Sequence, residues 1–522
     1  MSKLYDRLAA YGNSNVSPFH MPGHKRNKER FSFENPFAID ITEIDGFDNL
    51  HHPVGILKEA MEEAAEVYGA EKSYFLVNGS SCGILAAIST CVPQGGKLLV
   101  ARNCHKSVYH GMILEEISPV YLWPDLVSGW GMNGAVRPEA AEKELSIHPD
   151  VRAVLVTSPT YEGICSDMRG ICEAAHRRGL PVIVDAAHGA HFSFWGLCDS
   201  VLSCGADLVI ESLHKTLPSL TQTAILHKNS KLVDEGLLEW YLQVYQTSSP
   251  SYVLMASMDS CISYLAGEEG RRDMAVYERE LGKLRQKIEG LSCIRLLSGE
   301  EAGGIFYDAS KLVIRAEGRT GKELYDRLRL EYGIQPEMCT ETYVILMTSV
   351  ADEPEDFRRL YEALADLDRK TAGEKRTVVR RLGQGSVDTG RGQEEEGESA
   401  GTDFGTVEFP RPQMVLTPGR AVESQKKPCP LETCEGRISG EFAYLYPPGI
   451  PVLVPGERIT AEVLAVLKRY GENGFAVLGP EHFAAGEILV IEEGEAELGQ
   501  DFLHHGKERF RQGQYFPHAG GR

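Results

Sequence analysis

The chain has 522 residues, of which 54 are basic and 75 acidic, for a formal net charge of -21. That balance argues against a surface built for nucleic acid or anionic membrane and suits a small cationic substrate. No run approaches the roughly 18 apolar residues of a membrane span, and the start, "MSKLYDRLAAYGNS", carries Asp6 in its first turns with no long apolar core, unlike a secretory signal.

The length suggests roughly two to four domains. The twelve cysteines are scattered through apolar segments without a CxxC pair and read as reduced core residues, which favours the cytoplasm. In chain order, "GILKEAMEEAAEVY" (55 to 68) sets Ile56, Ala60, Met61, Ala64 and Val67 on one face, the pattern of an amphipathic helix. Strands are then predicted at 97 to 101, 119 to 123, 152 to 157, 181 to 185, 207 to 211 and 223 to 227, with helical stretches between several of them, such as "MRGICEAAHRRG" ending at Gly179. Short continuous apolar strands separated by helices imply an α/β class with a largely parallel sheet covered on both faces.

A long helical region (Val276 to Gly290) opens a second α/β pattern, "KLVIRAEG", "TGKELYDRLRLEYG" and "YVILMTSV", so a smaller domain is expected over 276–368. The following stretch, 372–405, is poor in apolar residues and rich in glycine and charge, and reads as a flexible linker or insert. Order is expected to resume in a C-terminal α+β domain, 406–522, whose most distinctive string is "YLYPPGIPVLVPGERIT". Ahead of these lie an arm, 1–54, and a large domain, 55–275.

In an open parallel sheet, ligands gather at the carboxyl ends of the strands. Four loops there carry chemistry. In "VNGSSCGILAAI", Gly79, Ser80 and Ser81 open an apolar helix, an anion site suited to phosphate. In "ARNCHKSVYHG", His105 follows a strand. In "PVIVDAAHGAH", Asp185 ends an apolar strand, where a carboxylate is costly unless it meets a cation or a donor. In "VIESLHKTLPSLTQTA", Ser212, His214 and Lys215 follow another strand. Singly these read as a serine cap, a capping or core histidine, a turn aspartate and a solvated loop lysine. Together they supply a phosphate cradle, an aromatic-sized ring, a buried carboxylate and a lysine, which is the set that pyridoxal 5'-phosphate requires.

"SLHKTLPSLTQTA", with Gln222, resembles the lysine-attachment signature of the ornithine/lysine/arginine decarboxylases. Further matches are "FHMPGHK" (19 to 25), "DITEIDGFDNLHHPVG" (40 to 55), "NGSSCG", "RNCHKS", "TSPTYEG", "DAAHGAH" and "YPPGIPVLVPGE". The resemblance implies a fold-type-I, aspartate aminotransferase-like enzyme that uses pyridoxal 5'-phosphate to decarboxylate a basic amino acid. It implies that Lys215 carries the cofactor's aldehyde carbon, that Ser80 and Ser81 with Ser212 and His214 hold the phosphate, that Asp185 pairs with the ring nitrogen, and that His105 stacks on the ring. His188 is expected close to the cofactor, although some larger members carry tryptophan there. Catalytic roles are expected for Lys215, His105 and Asp185, and a homodimer or higher homo-oligomer for the assembly. Because "FHMPGHK" starts at residue 19, the decamer of large members with an extra N-terminal domain is not implied. Compact members of the family are often arginine decarboxylases, so arginine is expected ahead of lysine and ornithine. Glu43 and Asp45 of the 40 to 48 acidic cluster and Glu441 of "ISGEFAYLYPPG" are candidate acceptors for its guanidinium.

His20 and His24 have the H-x-x-x-H spacing of a helical zinc site, but Pro22 and Gly23 between them disfavour that helix, and no metal is expected.

Overall fold

A computed structural model describes residues 3–31, 35–127, 129–195, 200–383, 409–447 and 449–492. Its chain divides into two compact units, one of 1–111 with 120–408 and one of 112–119 with 409–522. The first is built on a seven-stranded sheet in the order Lys72–Leu76, Ala224–Lys228, Leu208–Glu211, Val182–Asp185, Val151–Thr157, Lys97–Ala101, Ser118–Leu122. Pairing is parallel from Leu208–Glu211 through to Lys97–Ala101. Ala224–Lys228 runs antiparallel to both of its neighbours.

All six predicted strands are present within a residue or two. Val182–Asp185, Leu208–Glu211 and Ala224–Lys228 are buried along their whole length, as the continuous apolar runs required. The strand Lys72–Leu76 is not among the expected ones, since in "KSYFL" only Tyr74, Phe75 and Leu76 are apolar or aromatic, too short a run for periodicity to assign. The amphipathic helix spans Ile56–Tyr68 and buries Leu57, Met61, Ala64, Ala65 and Tyr68. The helix predicted from Val276 begins earlier and runs Glu268–Glu289. Among the described residues no helix is long and apolar enough to cross a membrane.

A second, antiparallel sheet orders Ile294–Leu296, Lys311–Ala316, Val344–Met347 and Met338–Cys339. It belongs to the same compact unit as the large sheet. The arm supplies half of a separate two-stranded sheet, in which Ser17–Phe19 pairs in parallel with Ile334–Pro336. Next comes the helix Pro354–Gly383, which carries through 372–383, the first part of the stretch read as linker. An apolar stripe of Leu360, Ala363, Leu364 and Leu367, continued by buried Thr371, holds it past the point where composition alone suggests a break. The remainder of that stretch, 384–405, lies outside the described residues.

The second unit pairs Lys426–Pro430 with Glu487–Ile491 antiparallel and adds the helix Ala461–Glu472. Its own core includes Leu431, Ala443, Leu453, Ile459, Val463, Leu467, Ile488 and Val490. Pro448 of "YLYPPGIPVLVPGERIT" and residues 493–522 lie outside the described residues.

Candidate active site

Sheet register decides which loops meet. Thr157 stands opposite Asp185, and Asp185 opposite Ile210, so three strands end level with one another. Just beyond those ends sit Ser158, His188, Ser212 and Lys215. Lys215 lies in a one-turn helix, Leu213–Thr216. Its Nζ is 3.1 Å from Nε2 of His188. The residue is half-buried by surface, yet its amine lies deep enough that burial lowers its pKa, with the negative charge of Asp185 acting in the opposite sense. Asp185 is buried, accepts the backbone N–H of Ala187 at 3.2 Å, and has its pKa raised by burial against the pull of Lys215.

The histidines around this amine are kept neutral. Burial, then the charge of Lys215, drives His188 well below its ordinary range. His105 is lowered to about 3 by burial, then by Lys215 and Lys106. It opens the helix Lys106–Leu114, and its Nδ1 accepts the backbone N–H of Ser107 at 3.2 Å, so it also acts as the cap that its position suggested. Burial lowers His214 to about 4, while its Nδ1 bonds the carbonyl of Thr223 at 2.8 Å.

Gly79 takes a φ of 74°, a left-handed turn that glycine makes at no steric cost, and starts the helix Gly79–Cys91. Asn78 precedes it without a side-chain capping bond, so the serines are not the cap: Ser80 and Ser81 lie inside the first turn. The first helical amides therefore lack a side-chain acceptor from the cap and can serve an anion. Gln222, with φ 87°, donates from Nε2 to the carbonyl of Val77 at 2.5 Å and so ties the loop after Lys215 to the loop before Gly79.

Several buried polar atoms in these loops have no hydrogen-bond partner among the described residues: Oγ of Ser212, Oγ1 of Thr157 and Thr216, Oδ1 of Asn103 and Nδ1 of His188. Buried polar groups are rarely left unmade. Their concentration past the strand ends fits a ligand rich in donors and acceptors.

The motif "FHMPGHK" is a structural strap. Gly23 donates its N–H to the carbonyl of His214 at 2.7 Å, and its own carbonyl accepts Oγ–H of Ser349 at 2.5 Å. Lys25 is buried and donates from Nζ to the carbonyls of His20 and Met347, at 2.9 and 2.7 Å. His20 bonds Tyr11 and its neighbour's carbonyl.

Two residues without an assigned role from sequence enter the site. Tyr161, inside "TSPTYEG", packs on His188 with ring centroids 4.5 Å apart. Its hydroxyl donates at 2.6 Å to Oε1 of Glu337. Glu337 comes from the second sheet region, more than a hundred residues from any other site group, and nothing local in "GIQPEMCT" distinguishes it.

The substrate candidates fare differently. Asp48 of the acidic cluster accepts the N–H groups of Val54, Gly55 and Leu57 and so caps the helix Ile56–Tyr68. Glu43 has one buried carboxylate oxygen without a partner, and Asp45 is exposed. Neither shares a hydrogen bond with Lys215, Asp185 or His188. Glu441 lies in the second unit, where its two oxygens accept the N–H groups of Leu489 at 2.6 Å and Glu481 at 3.1 Å.

Comparison with known proteins places this geometry. The profile of the Orn/Lys/Arg decarboxylase major domain matches residues 2–302, and that of the C-terminal domain of the same family matches 406–474. The arginine decarboxylase of Halalkalibacterium halodurans is 34% identical over 514 residues, covering 94% of this chain and 98% of that protein. The arginine decarboxylase of Bacillus subtilis is 32% identical over 508 residues, with 94% and 98% covered. Among solved structures, the lysine decarboxylase LdcF of Francisella novicida superposes with a TM-score of 0.72 at 20% identity, over 93% of this chain and 80% of that one. A serine palmitoyltransferase of Sphingomonas wittichii shares the fold more distantly, with a TM-score of 0.50 over 68% of this chain and 87% of that one. From its major-domain loops to its C-terminal segment, the chain belongs to the Orn/Lys/Arg decarboxylase family.

Proposed function

We propose that this protein removes the α-carboxylate of a basic L-amino acid as carbon dioxide, with pyridoxal 5'-phosphate as cofactor and arginine ahead of lysine and ornithine. The observation that carries the reading is the Lys215 amine, lowered in pKa by burial, held 3.1 Å from His188 and within the field of buried Asp185 at the level ends of the parallel strands. A lysine in that state is a nucleophile for an aldehyde.

Lys215 would hold the cofactor through its aldehyde carbon. The uncapped amides after Gly79, with Ser80, Ser81, Ser212 and His214, would bind its phosphate, and His105 would pack against its ring. When bound, the cofactor supplies the electron sink for the pair left at Cα as carbon dioxide leaves. Asp185 would hold the proton on the cofactor's ring nitrogen, where a buried charge is worth more than in water. The unpartnered Oγ of Ser212 and Nδ1 of His188 support polar contacts to such a ligand.

The preference for arginine rests on the similarity to the two arginine decarboxylases. Glu43 and Asp45 remain the proposed guanidinium acceptors. Glu441 has less acceptor capacity to offer, because each of its oxygens already accepts a backbone amide in its own unit. The proposed division is an arm over 1–54, a cofactor-binding domain over 55–275, a smaller domain over 276–368 and a family-specific C-terminal domain over 406–522. The proposed assembly is at least a homodimer. Phe37, Phe47, Val54 and Ile56 of the arm and early helix, and Trp240 of the helix Glu235–Tyr245, are large apolar side chains left exposed, Phe37 and Val54 by more than 80%.

The test is to offer arginine, lysine and ornithine separately and identify the products. Carbon dioxide with agmatine as the fastest pair is the expected result. Cadaverine formed far faster from lysine overturns the preference, and a keto acid without carbon dioxide overturns the reaction class.

A further inference from the structure

Among the described residues the Lys215 amine has one hydrogen-bonding side chain, His188, and that histidine has few constraints of its own. Its Nδ1 is buried without a partner, so no second hydrogen bond fixes the ring. What bears on the ring instead is Tyr161, inclined at 56° with centroids 4.5 Å apart. Tyr161 is in turn anchored by its hydroxyl to Oε1 of Glu337 at 2.6 Å, and Oε2 of Glu337 accepts the N–H of Met21 at 2.7 Å. Met21 belongs to the strap whose Gly23 bonds the turn that carries Lys215. The chain of contacts thus closes on itself through two routes from Glu337 to the same lysine.

We infer that Glu337 and Tyr161 are positioning residues for the reactive amine, holding the His188 ring so that its Nε2 meets Lys215 and holding the strap that seats the Lys215 turn. A surface tyrosine–carboxylate pair contributes little. Here the pair lies partly buried behind the one side-chain partner that the amine has among the described residues, where a small ring rotation removes a hydrogen bond. The charged and titratable groups facing Lys215 are Asp185, Glu337, Lys311, His105 and His188. Of these, Asp185 and Glu337 raise the proton affinity of the amine, and Lys311 lowers it.

This inference rests on the reading of Lys215 as the reactive amine, and its test separates the two. The full chain, freed of cofactor, is treated with pyridoxal and borohydride across pH, and Lys215 labelling is read by peptide mass. Failure to label Lys215 in the unaltered protein overturns both the site reading and this inference. If Lys215 labels, Glu337→Gln and Tyr161→Leu are compared with it. Each removes a feature that favours the ammonium, the charge in one case and the propped acceptor in the other. The labelling midpoint should therefore move to lower pH, with labelling near neutral pH about three to ten times faster. Tyr161→Phe keeps the ring against His188 and should shift the midpoint less than Tyr161→Leu. An unchanged midpoint in soluble, folded Glu337→Gln and Tyr161→Leu overturns the inference and leaves the reading of Lys215 standing. Misfolding of Tyr161→Leu does not spoil the test, because Tyr161→Phe loses the bond to Glu337 without changing any charge, and an unchanged midpoint there overturns the inference as well.

Discussion

Asp185 occupies a position where a carboxylate is poorly tolerated: buried at the end of an apolar strand, with a single protein N–H donor at 3.2 Å. A residue kept there at such cost is kept for charge rather than for packing. We expect Asp185→Asn to lower kcat by about 100-fold or more with a small change in KM, because the lost charge acts on the transition state. Its thermal midpoint should stay level or rise. Equal losses in kcat and thermal stability would make Asp185 a structural cap. Lys215→Ala should abolish turnover and the visible absorbance of lysine-bound cofactor while leaving the circular dichroism spectrum intact. Decarboxylation at the original rate would remove the assignment.

The neutral histidines make stability depend on pH. His105 and His214 are lowered to about 3 and about 4 in the folded protein, against an ordinary value of 6.5. Between those values the unfolded chain binds more protons, so stability present above about pH 6.5 is lost as pH falls toward 4. Asp185, raised in the folded state, acts in the opposite sense over its own range, because there the folded chain holds the extra proton. Chemical unfolding at stepped pH should show this decline, and Asp185→Asn should show a steeper one. A flat profile from pH 7 to 4.5 would mean that these histidines are hydrated.

At the scale of elements, the strap 19–25 is the feature with most leverage on the site. Gly23 is there for close approach: a Cβ would lie 2.5 Å from the carbonyl oxygen of Leu217 and 2.7 Å from its nitrogen, both backbone atoms that cannot turn aside. Gly23→Ala should therefore cost about 1–3 kcal/mol of stability and loosen the bond to the carbonyl of His214. A drop in Tm, together with weaker cofactor binding in equilibrium titration, is the expected pair of results. A change in neither would show that the Lys215 turn is seated by other contacts. "FHMPGHK" is legible as a motif, but its job is not, since its partners Ser349 and Met347 lie 326 and 322 residues away in sequence and Leu217 is also remote. The run of the helix Pro354–Gly383 into the expected linker has a similar cause: burial of Leu364, Leu367 and Thr371 depends on neighbours that composition does not show.

For the whole molecule, the exposed apolar side chains of the arm and of the helix Glu235–Tyr245 are what a second copy would cover. Trp240 is 60% exposed, unusual for an indole on a soluble surface, and aromatic residues of this kind anchor interfaces. Trp240→Glu should weaken self-association by about tenfold or more, read by sedimentation at falling concentration. An unchanged sedimentation coefficient would take this helix out of the interface.

The sequence by itself determined the α/β class, the six strands it names, and the four loops with Gly79, Ser80, Ser81, His105, Asp185, Ser212 and Lys215, because continuous apolar runs and the residues that follow them are local signals. Only the tertiary structure decided that Thr157, Asp185 and Ile210 end level, that Ala224–Lys228 runs against its neighbours, and that Tyr161 and Glu337 stand behind His188. It also decided that Asp48 and Glu441 spend their carboxylates on backbone amides. Register, strand direction and the far ends of hydrogen bonds are set by pairing between distant segments, and no local pattern of residue types encodes the partner.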